Sequence, residues 1–409
     1  MTVTSTAIAR HAQTVPALRL GMLGTRGVPA AYGGFETAIE EIGQRLVERG
    51  HEVTVYGRAT ERRAPTSHLG MRLVHLPAIH SKSLETISNT AFSAAHFAGT
   101  RRHDVAFVFN AANAPFIPLI RSRGTAVALH VDGLEWKRDK WGKWGRRYYQ
   151  MAERTAVREA DALIADAQGI ADYYDDEFAM PTELISYGTN ILRDTPTDKI
   201  EQLGLVPGQF HLVVARFEPE NHVDVIVDGY ARSGATLPLV VVGSAPYAPA
   251  YTTGIKHAAA ADSRIRMLGA VWDQRLLDQL YAHALSYVHG HSVGGTNPSL
   301  LRAMGAGTAV LGWDVLFNRE VAGTAGLYFS GARQLAGQIE EVERYAYRFR
   351  DIGELMQERA QVLYNWDVVT ESYEALAARL SRGYSTRGMS NGRRHGTAPW
   401  NTSWEVVDA

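Results

Sequence analysis

Short apolar runs alternate with amphipathic stretches along most of the chain. Residues 18–24 (LRLGMLG) form an apolar run closed by glycine, the pattern of a parallel strand buried on both faces. Residues 36–49 follow with Ile39, Ile42 and Leu46 on one helical face, and Gly50 stands just past the end. Residues 51–56 (HEVTVY) alternate as a second strand, and further strands are expected at 71–76, 104–109, 125–130 and 162–165. After Leu205-Val206-Pro207-Gly208 the pattern restarts. Strands are expected at 211–215, 239–243, 264–268, 286–289 and 308–311, with helices at 223–233 and 273–284. Strand–helix alternation in both halves predicts an α/β fold of two doubly wound domains. If the carboxyl ends of the two sheets face one another, they enclose a cleft, where ligands bind in such folds.

The expected organisation is a disordered leader over 1–17, a first domain over 18–190 and a second over 191–350. Helices over 332–348 and 352–380 end the ordered part, and those over 351–380 can cross back to the first domain. A loose tail rich in Gly, Ser, Arg and Asn fills 381–409.

The 409 residues suffice for two or three domains, and 21% charged residues fit a globular chain. A formal net charge of -1 gives no global case for nucleic acid, so any anion site is local. The absence of cysteine excludes disulfides, thiolate metal sites and cysteine nucleophiles, and it fits a reducing compartment. No run approaches 18 apolar residues, and the leader lacks the apolar core of a secretory signal, so a cytoplasmic location is expected. Histidines are scattered, with no H-E-x-x-H and no D-x-D, so neither a metal nor another cofactor is expected.

Five stretches carry candidate chemistry. Residues 24–36 (GTRGVPAAYGGFE) join the first strand to the first helix. Gly33 and Gly34 let backbone approach a ligand, the helix start offers N–H groups, and Arg26 suits phosphate. The plain alternative is a strand–helix turn. Arg216, in RFEPEN after a strand, either faces the cleft or pairs with Glu218 or Glu220. Residues 290–301 (GHSVGGTNPSLL) place Asn297 as an N-cap and Pro298 as a first helical residue, which capping explains; it leaves the paired glycines Gly294 and Gly295 unexplained. His130, in HVDG at a strand end, is either catalytic or a core histidine. Residues 135–149 (EWKRDKWGKWGRRYY) interleave cations with large aromatics, a pattern that suits an anionic membrane, a nucleic acid, or a helix with inward aromatics and solvated charges.

On these residues the chain resembles the retaining GT-B glycosyltransferases of family 4, closest to a bacterial subgroup that includes rhamnosyltransferases of surface-polysaccharide synthesis. The matching stretches are GTRGVPAAYGGFET (24–37), HVDGLEWKRDKW (130–141), ISYGTN (185–190), RFEPEN (216–221), GHSVGGTNPSLL (290–301) and FNREV (317–321). The resemblance implies a GT-B fold of two facing Rossmann-like domains and transfer of a sugar, rhamnose or another hexose, from a UDP- or dTDP-sugar. Transfer is with retention and without a metal, to a glycan or lipid-linked acceptor; separately, the interleaved aromatics and cations of 136–149 lead us to expect peripheral membrane contact there, and the net charge gives no role for nucleic acid. The resemblance puts Gly33 and Gly34 at the donor diphosphate, where the Arg26 guanidinium is by its own chemistry also expected to bind, His130 beside the transferred sugar and Arg216 on the diphosphate. Gly295, Thr296, Asn297, Ser299 and Leu300 then hold donor sugar and phosphate. Two positions depart from the family: Asn221 stands where a lysine is usual, and Gly294 and Arg302 stand where a pair of glutamates is usual, the second commonly holding the ribose. Arg302 is therefore expected to donate to ribose or phosphate, or to pair with a carboxylate such as Glu320. The other readings are a catalytically silent binding or scaffold protein of the same fold and a nucleotide-sugar epimerase.

Overall fold

The computed structural model describes residues 15–30, 34–59, 65–79, 85–131, 133–137, 141–244 and 249–395. The first domain is a sheet of β1 (Arg19–Leu23), β2 (Glu52–Arg58), β3 (Ser67–His68), β4 (Met71–Leu76), β5 (Val105–Phe109), β6 (Ala126–Val131), β7 (Ala162–Ala165) and β8 (Glu183–Leu184). Their order is β3-β4-β2-β1-β5-β6-β7-β8, parallel except for the β3–β4 pair. Helices α1 (Gly34–Glu48), α2 (Glu85–Gly99), α3 (Ile117–Arg121), α4 (Lys143–Glu159) and α5 (Gln168–Phe178) cover its faces. β5 reads VAFVF with every residue buried, as a central parallel strand should. Ile39, Ile42 and Leu46 are the buried stripe of α1.

After α6 (Asp198–Gln202), the second sheet runs β11 (Ile265–Gly269), β10 (Leu239–Val242), β9 (His211–Val214), β12 (Ser286–His289), β13 (Ala309–Trp313) and β14 (Leu327–Phe329), all parallel. Its helices are α7 (Val223–Arg232), α8 (Pro249–Ala260), α9 (Gln274–His283), α10 (Pro298–Gly305), α11 (Leu316–Ala322) and α12 (Ala332–Arg344). Both sheets reverse strand order once, between β1 and β5 and between β9 and β12. Ligands of doubly wound folds bind at the carboxyl ends beside such a reversal.

The last helices are α13 (Ala346–Leu363) and α14 (Trp366–Ser381), not one helix over 352–380. The break is capped: the Asn365 side chain accepts from the Val368 N–H at 2.9 Å, and the Tyr364 carbonyl accepts from the Thr189 N–H at 2.6 Å. α14 then lies on the first domain. Tyr373 meets Phe107 edge-on at 5.0 Å, and Glu374 pairs with Arg49 at 2.6 Å. The stretch expected to be a loose tail is packed as far as residue 395. The Thr386 N–H donates to the Asp161 carbonyl at 2.8 Å, and the Arg394 guanidinium pairs with buried Glu153 while lying 4.9 Å over the Trp136 ring. Composition pointed to disorder because the partners, Asp161, Glu153 and Trp136, are more than 220 residues away in sequence. The remaining tail, 396–409, and the leader over 1–14 lie outside the described residues.

Candidate functional site

Three of the five stretches meet where the domains touch. The loop after β12 reaches across to the first domain: the Thr296 hydroxyl donates to the Asp166 carbonyl at 2.6 Å. A Cβ on Gly295 would sit 2.2 Å from Asp166 Oδ1, and one on Gly133 would sit 2.7 Å from the Gly294 Cα. These contacts supply a reason for Gly295 and Gly133 that capping could not, since side chains there would hold the domains apart, while Gly294 adopts φ 123°, which L side chains rarely do. Gly34 faces Pro298 in the same way, its Cβ position 3.0 Å from the ring. Gly33 and Asp132 lie outside the described residues.

His130 ends up at this junction but inside the protein, 3% exposed. Phe109 stacks on it at 5.7 Å, Phe35 meets it edge-on at 5.2 Å, and Tyr187 lies at 5.6 Å. Burial lowers its pKa to about 3, so the ring is neutral at physiological pH. Its Nδ1 is buried without a hydrogen-bond partner among the described residues.

The loop around Arg26 is occupied by its own helix. The Arg26 N–H donates to Glu36 at 3.1 Å and the Ala30 N–H to Glu40 at 3.2 Å, which leaves the exposed Arg26 guanidinium as the loop's group for an anion. Arg58, at the end of β2, is a neighbour that sequence reading missed. It is 8% exposed, pairs with Glu85 at 2.8 Å, and has its pKa lowered by burial, with a smaller push from Arg26.

In the second domain Arg216 follows β9, as expected, and pairs with Glu218 at 3.4 Å while remaining partly exposed. Asn221, the departure from lysine, is a buried latch. Its amide donates to the Arg216 carbonyl at 2.7 Å, and its oxygen accepts from His291 Nδ1 at 2.5 Å. His222 Nδ1 donates to the Gly290 carbonyl at 2.8 Å while its ring stacks 3.7 Å from Trp313. The Asn318 amide, in the FNREV stretch, donates to the carbonyls of His291 and Trp313 at 2.9 Å each. The segments that follow β9, β12 and β13 are thus fixed to one another. His222, His289, His291 and Asp166 were not singled out from sequence. The signal that found His130 and Arg216, a polar residue at or just past a strand's carboxyl end, applies to His289, His291 and Asp166, whereas His222 lies at the start of α7, well past β9.

Asn297 caps α10 as expected, accepting from the Ser299 N–H at 2.9 Å. The Ser299 hydroxyl points inward, donating to Asn297 at 2.7 Å and accepting from Tyr287 at 3.0 Å. Leu300 is buried in the core beneath the helix start. Behind Ser299, His289 is 3% exposed, its pKa lowered to about 3 by burial, with Nε2 unpartnered among the described residues. Arg302 pairs with Asp278 at 2.7 Å, donates to the Gln274 side chain at 2.9 Å and lies 5.5 Å over Tyr281. Its carboxylate is therefore Asp278 on α9 and not Glu320. Glu320 instead accepts from the Gln168 N–H at 2.7 Å, joining α11 to the start of α5. The helical turn decides this: one turn into α10, position 302 faces the neighbouring helix of its own domain.

In the aromatic-basic stretch, Trp144 is 81% exposed and Arg147 lies 5.5 Å from its ring. Trp141 points the other way, its Nε1 donating to Glu135 at 3.1 Å. Arg138 and Lys140 lie outside the described residues. Among the described residues no helix is long and apolar enough to cross a membrane.

Residues 19–190 match a family model described as a domain of unknown function, and residues 209–344 match one described as glycosyl transferases group 1. No curated protein matches the sequence. Among solved structures, sucrose-phosphate synthase from Thermosynechococcus elongatus is similar with TM-score 0.75 at 19% identity, over 89% of this chain and 99% of that one. HepE from Anabaena, solved with UDP-glucose, gives 0.71 at 16% identity, over 88% and 100%. A glycosyltransferase from Rickettsia africae gives 0.68 at 12% identity, over 90% and 100%. The fold is GT-B, and within the second domain residues 209–344 are similar to the group 1 glycosyl transferases.

Proposed function

We propose that this GT-B chain is a retaining, metal-independent hexosyltransferase. It takes rhamnose or another hexose from a UDP- or dTDP-sugar and gives it to a glycan or lipid-linked acceptor in bacterial polysaccharide or glycolipid synthesis. The observation that carries the reading is the junction itself. Loop 290–297, at the reversal point of the second sheet, closes on Gly133 and Asp166 at the ends of β6 and β7. HepE, with the same fold, holds UDP-glucose, and a donor of that class suits the cations at this junction.

In the proposed reaction the acceptor hydroxyl oxygen bonds to the sugar's anomeric carbon on the face the donor leaves, the bond from that carbon to the diphosphate oxygen breaks, the hydroxyl proton passes to the departing diphosphate, and negative charge grows on that diphosphate as it leaves. Arg216 exchanges the carboxylate of Glu218 for that charge, and the start of α10 adds its partial positive end. His130, neutral and buried, holds a sugar hydroxyl through its unpartnered nitrogen and takes up no further proton. Arg216→Ala should cost on the order of 2–4 kcal/mol of transition-state stabilisation. Screening nucleotide-sugars by thermal shift and then assaying release of nucleoside diphosphate tests the reading. Release only with acceptor present supports transfer; release or sugar inversion without acceptor supports an epimerase.

The exposed Trp144, with Lys143, Arg146 and Arg147 beside it and Met151 43% exposed two turns further on, supports peripheral docking at the inner face of the membrane. Co-sedimentation with anionic and neutral liposomes tests this, and binding that is unchanged when Lys143, Arg146 and Arg147 are neutralised argues against it. The silent-scaffold reading is favoured by one observation, that Arg216 and Arg302 are both already paired with carboxylates. Donor binding without turnover across acceptors would establish it.

A further inference from the structure

A second cavity lies at the other end of the first sheet, where β1 and β2 begin, whereas the cleft lies where they end. Its volume is about 290 Å³, near the lower end for small-molecule sites. Arg19, Arg72, Arg101 and Arg102 line it, with Thr54, Tyr56, Thr100 and the rings of His96 and His103.

The charges in this cavity do not balance. Arg19 is taken by Asp104 at 2.9 Å, and Arg101 stands 3.6 Å from Glu52 with both side chains well exposed. Arg102 donates to the neutral Gly124 carbonyl at 2.9 Å, and Arg72 is exposed on β4. Four arginines against Glu52 and Asp104 leave two positive charges. The negative end of α2, which would repel an anion here, is covered: Arg123 donates to the Ala98 and Thr100 carbonyls at 3.4 and 2.6 Å. A second observation is polar. His103 is 8% exposed, stacks on Phe97 at 4.4 Å, and has its Nδ1 buried with no hydrogen-bond partner among the described residues. His96 carries a buried Nδ1 in the same state.

We infer that this cavity is a binding site, separate from the donor cleft, for a small phosphorylated anion. Arg72, Arg101 and Arg102 hold the phosphate, and Thr54, Tyr56, His96 and His103 face what it carries. Two surplus positive charges match a phosphate monoester, which carries about -1.5 to -2 at neutral pH. Arginine donors match its oxygens in geometry, and the volume leaves room for an organic part of sugar size.

The test is calorimetric titration of the full chain with inorganic phosphate, with glucose 6-phosphate and with free glucose, repeated in Arg72→Ala, Arg102→Ala and Arg216→Ala. Arg72 and Arg102 are both exposed, so their variants should keep the wild-type melting temperature. The expected result is one saturable site for a phosphate-bearing probe, weakened about tenfold or more in Arg72→Ala and Arg102→Ala and unchanged in Arg216→Ala. Free glucose should not bind there. Tighter binding of glucose 6-phosphate identifies an organic phosphate as occupant, and tighter binding of inorganic phosphate identifies the free ion; both support the site. No binding at millimolar concentration overturns it, as does binding indifferent to Arg72 and Arg102 or lost in Arg216→Ala, which would locate the anion in the cleft.

Discussion

Replacing His130 by phenylalanine separates its two roles, core ring and sugar contact. The new ring has nearly the volume of the old and can keep the stack on Phe109 and the edge contact with Phe35. It also removes a buried nitrogen that has no partner among the described residues. At about pH 7.5 stability should therefore hold or rise, by up to ~1–3 kcal/mol. The acid limb gives a sharper reading. The folded pKa of His130 is lowered by burial to about 3, from 6.5. The unfolded chain thus takes up a proton on falling below pH 6.5 that the folded chain refuses. The stability this ring contributes is complete above pH 6.5 and is lost as pH falls from 6.5 toward 3. At about pH 5 the loss is about 2 kcal/mol, whether the folded value is 3 or a unit either side. His289, lowered to about 3, and His103, lowered to about 4, both by burial, add losses of similar size in the same window. Urea unfolding at about pH 7.5 and about pH 5 should therefore show wild type losing about 2 kcal/mol more than His130→Phe over that interval, while the variant loses turnover about 100-fold or more by losing a hydrogen bond made at the reacting sugar. Equal losses would mean that the native ring takes up protons and is not sealed as described. Normal turnover in a stable variant would assign His130 to the core alone.

Other consequences follow from the second domain and the tail. Arg302→Glu sets two carboxylates together where Arg302 and Asp278 now pair at 2.7 Å; it should destabilise by about 1 kcal/mol, and Asp278→Arg added to it should restore the loss, read as coupling in a double-mutant cycle. If Arg302→Glu instead creates transfer activity in a protein otherwise silent with every donor, the chain is a retired enzyme. Asn221→Ala removes the bonds to Arg216 and His291, and should lower kcat about tenfold or more through a misplaced Arg216, with a melting temperature only a few degrees lower; unchanged kinetics would remove Asn221 from the site. Arg394→Ala takes the cation from the buried Glu153 and leaves it the Tyr173 hydroxyl at 3.1 Å, so unfolding free energy should fall by about 3 kcal/mol, and protease should reach the 133–137 segment sooner. Resistance equal to wild type would show that the tail does not hold that segment.

The two-domain α/β architecture was legible in the sequence because it rests on local periodicity. Runs such as VAFVF can satisfy their backbone only as buried strands, and helical faces such as Ile39, Ile42 and Leu46 must be covered. The position of Arg216 past β9 and the cap at Asn297 were legible for the same reason, since each depends on neighbours a few residues away. What Gly295 and Gly34 are for was not. Their need for a bare Cα comes from Asp166 and Pro298, more than 120 residues distant along the chain. Nor could sequence decide that Arg302 turns to Asp278, that Asn221 ties two loops together, or that the Gly-rich tail docks Arg394 between Glu153 and Trp136. An ion pair or a latch depends on distance in space, and only the packing of the two sheets and the return of α14 fix that distance.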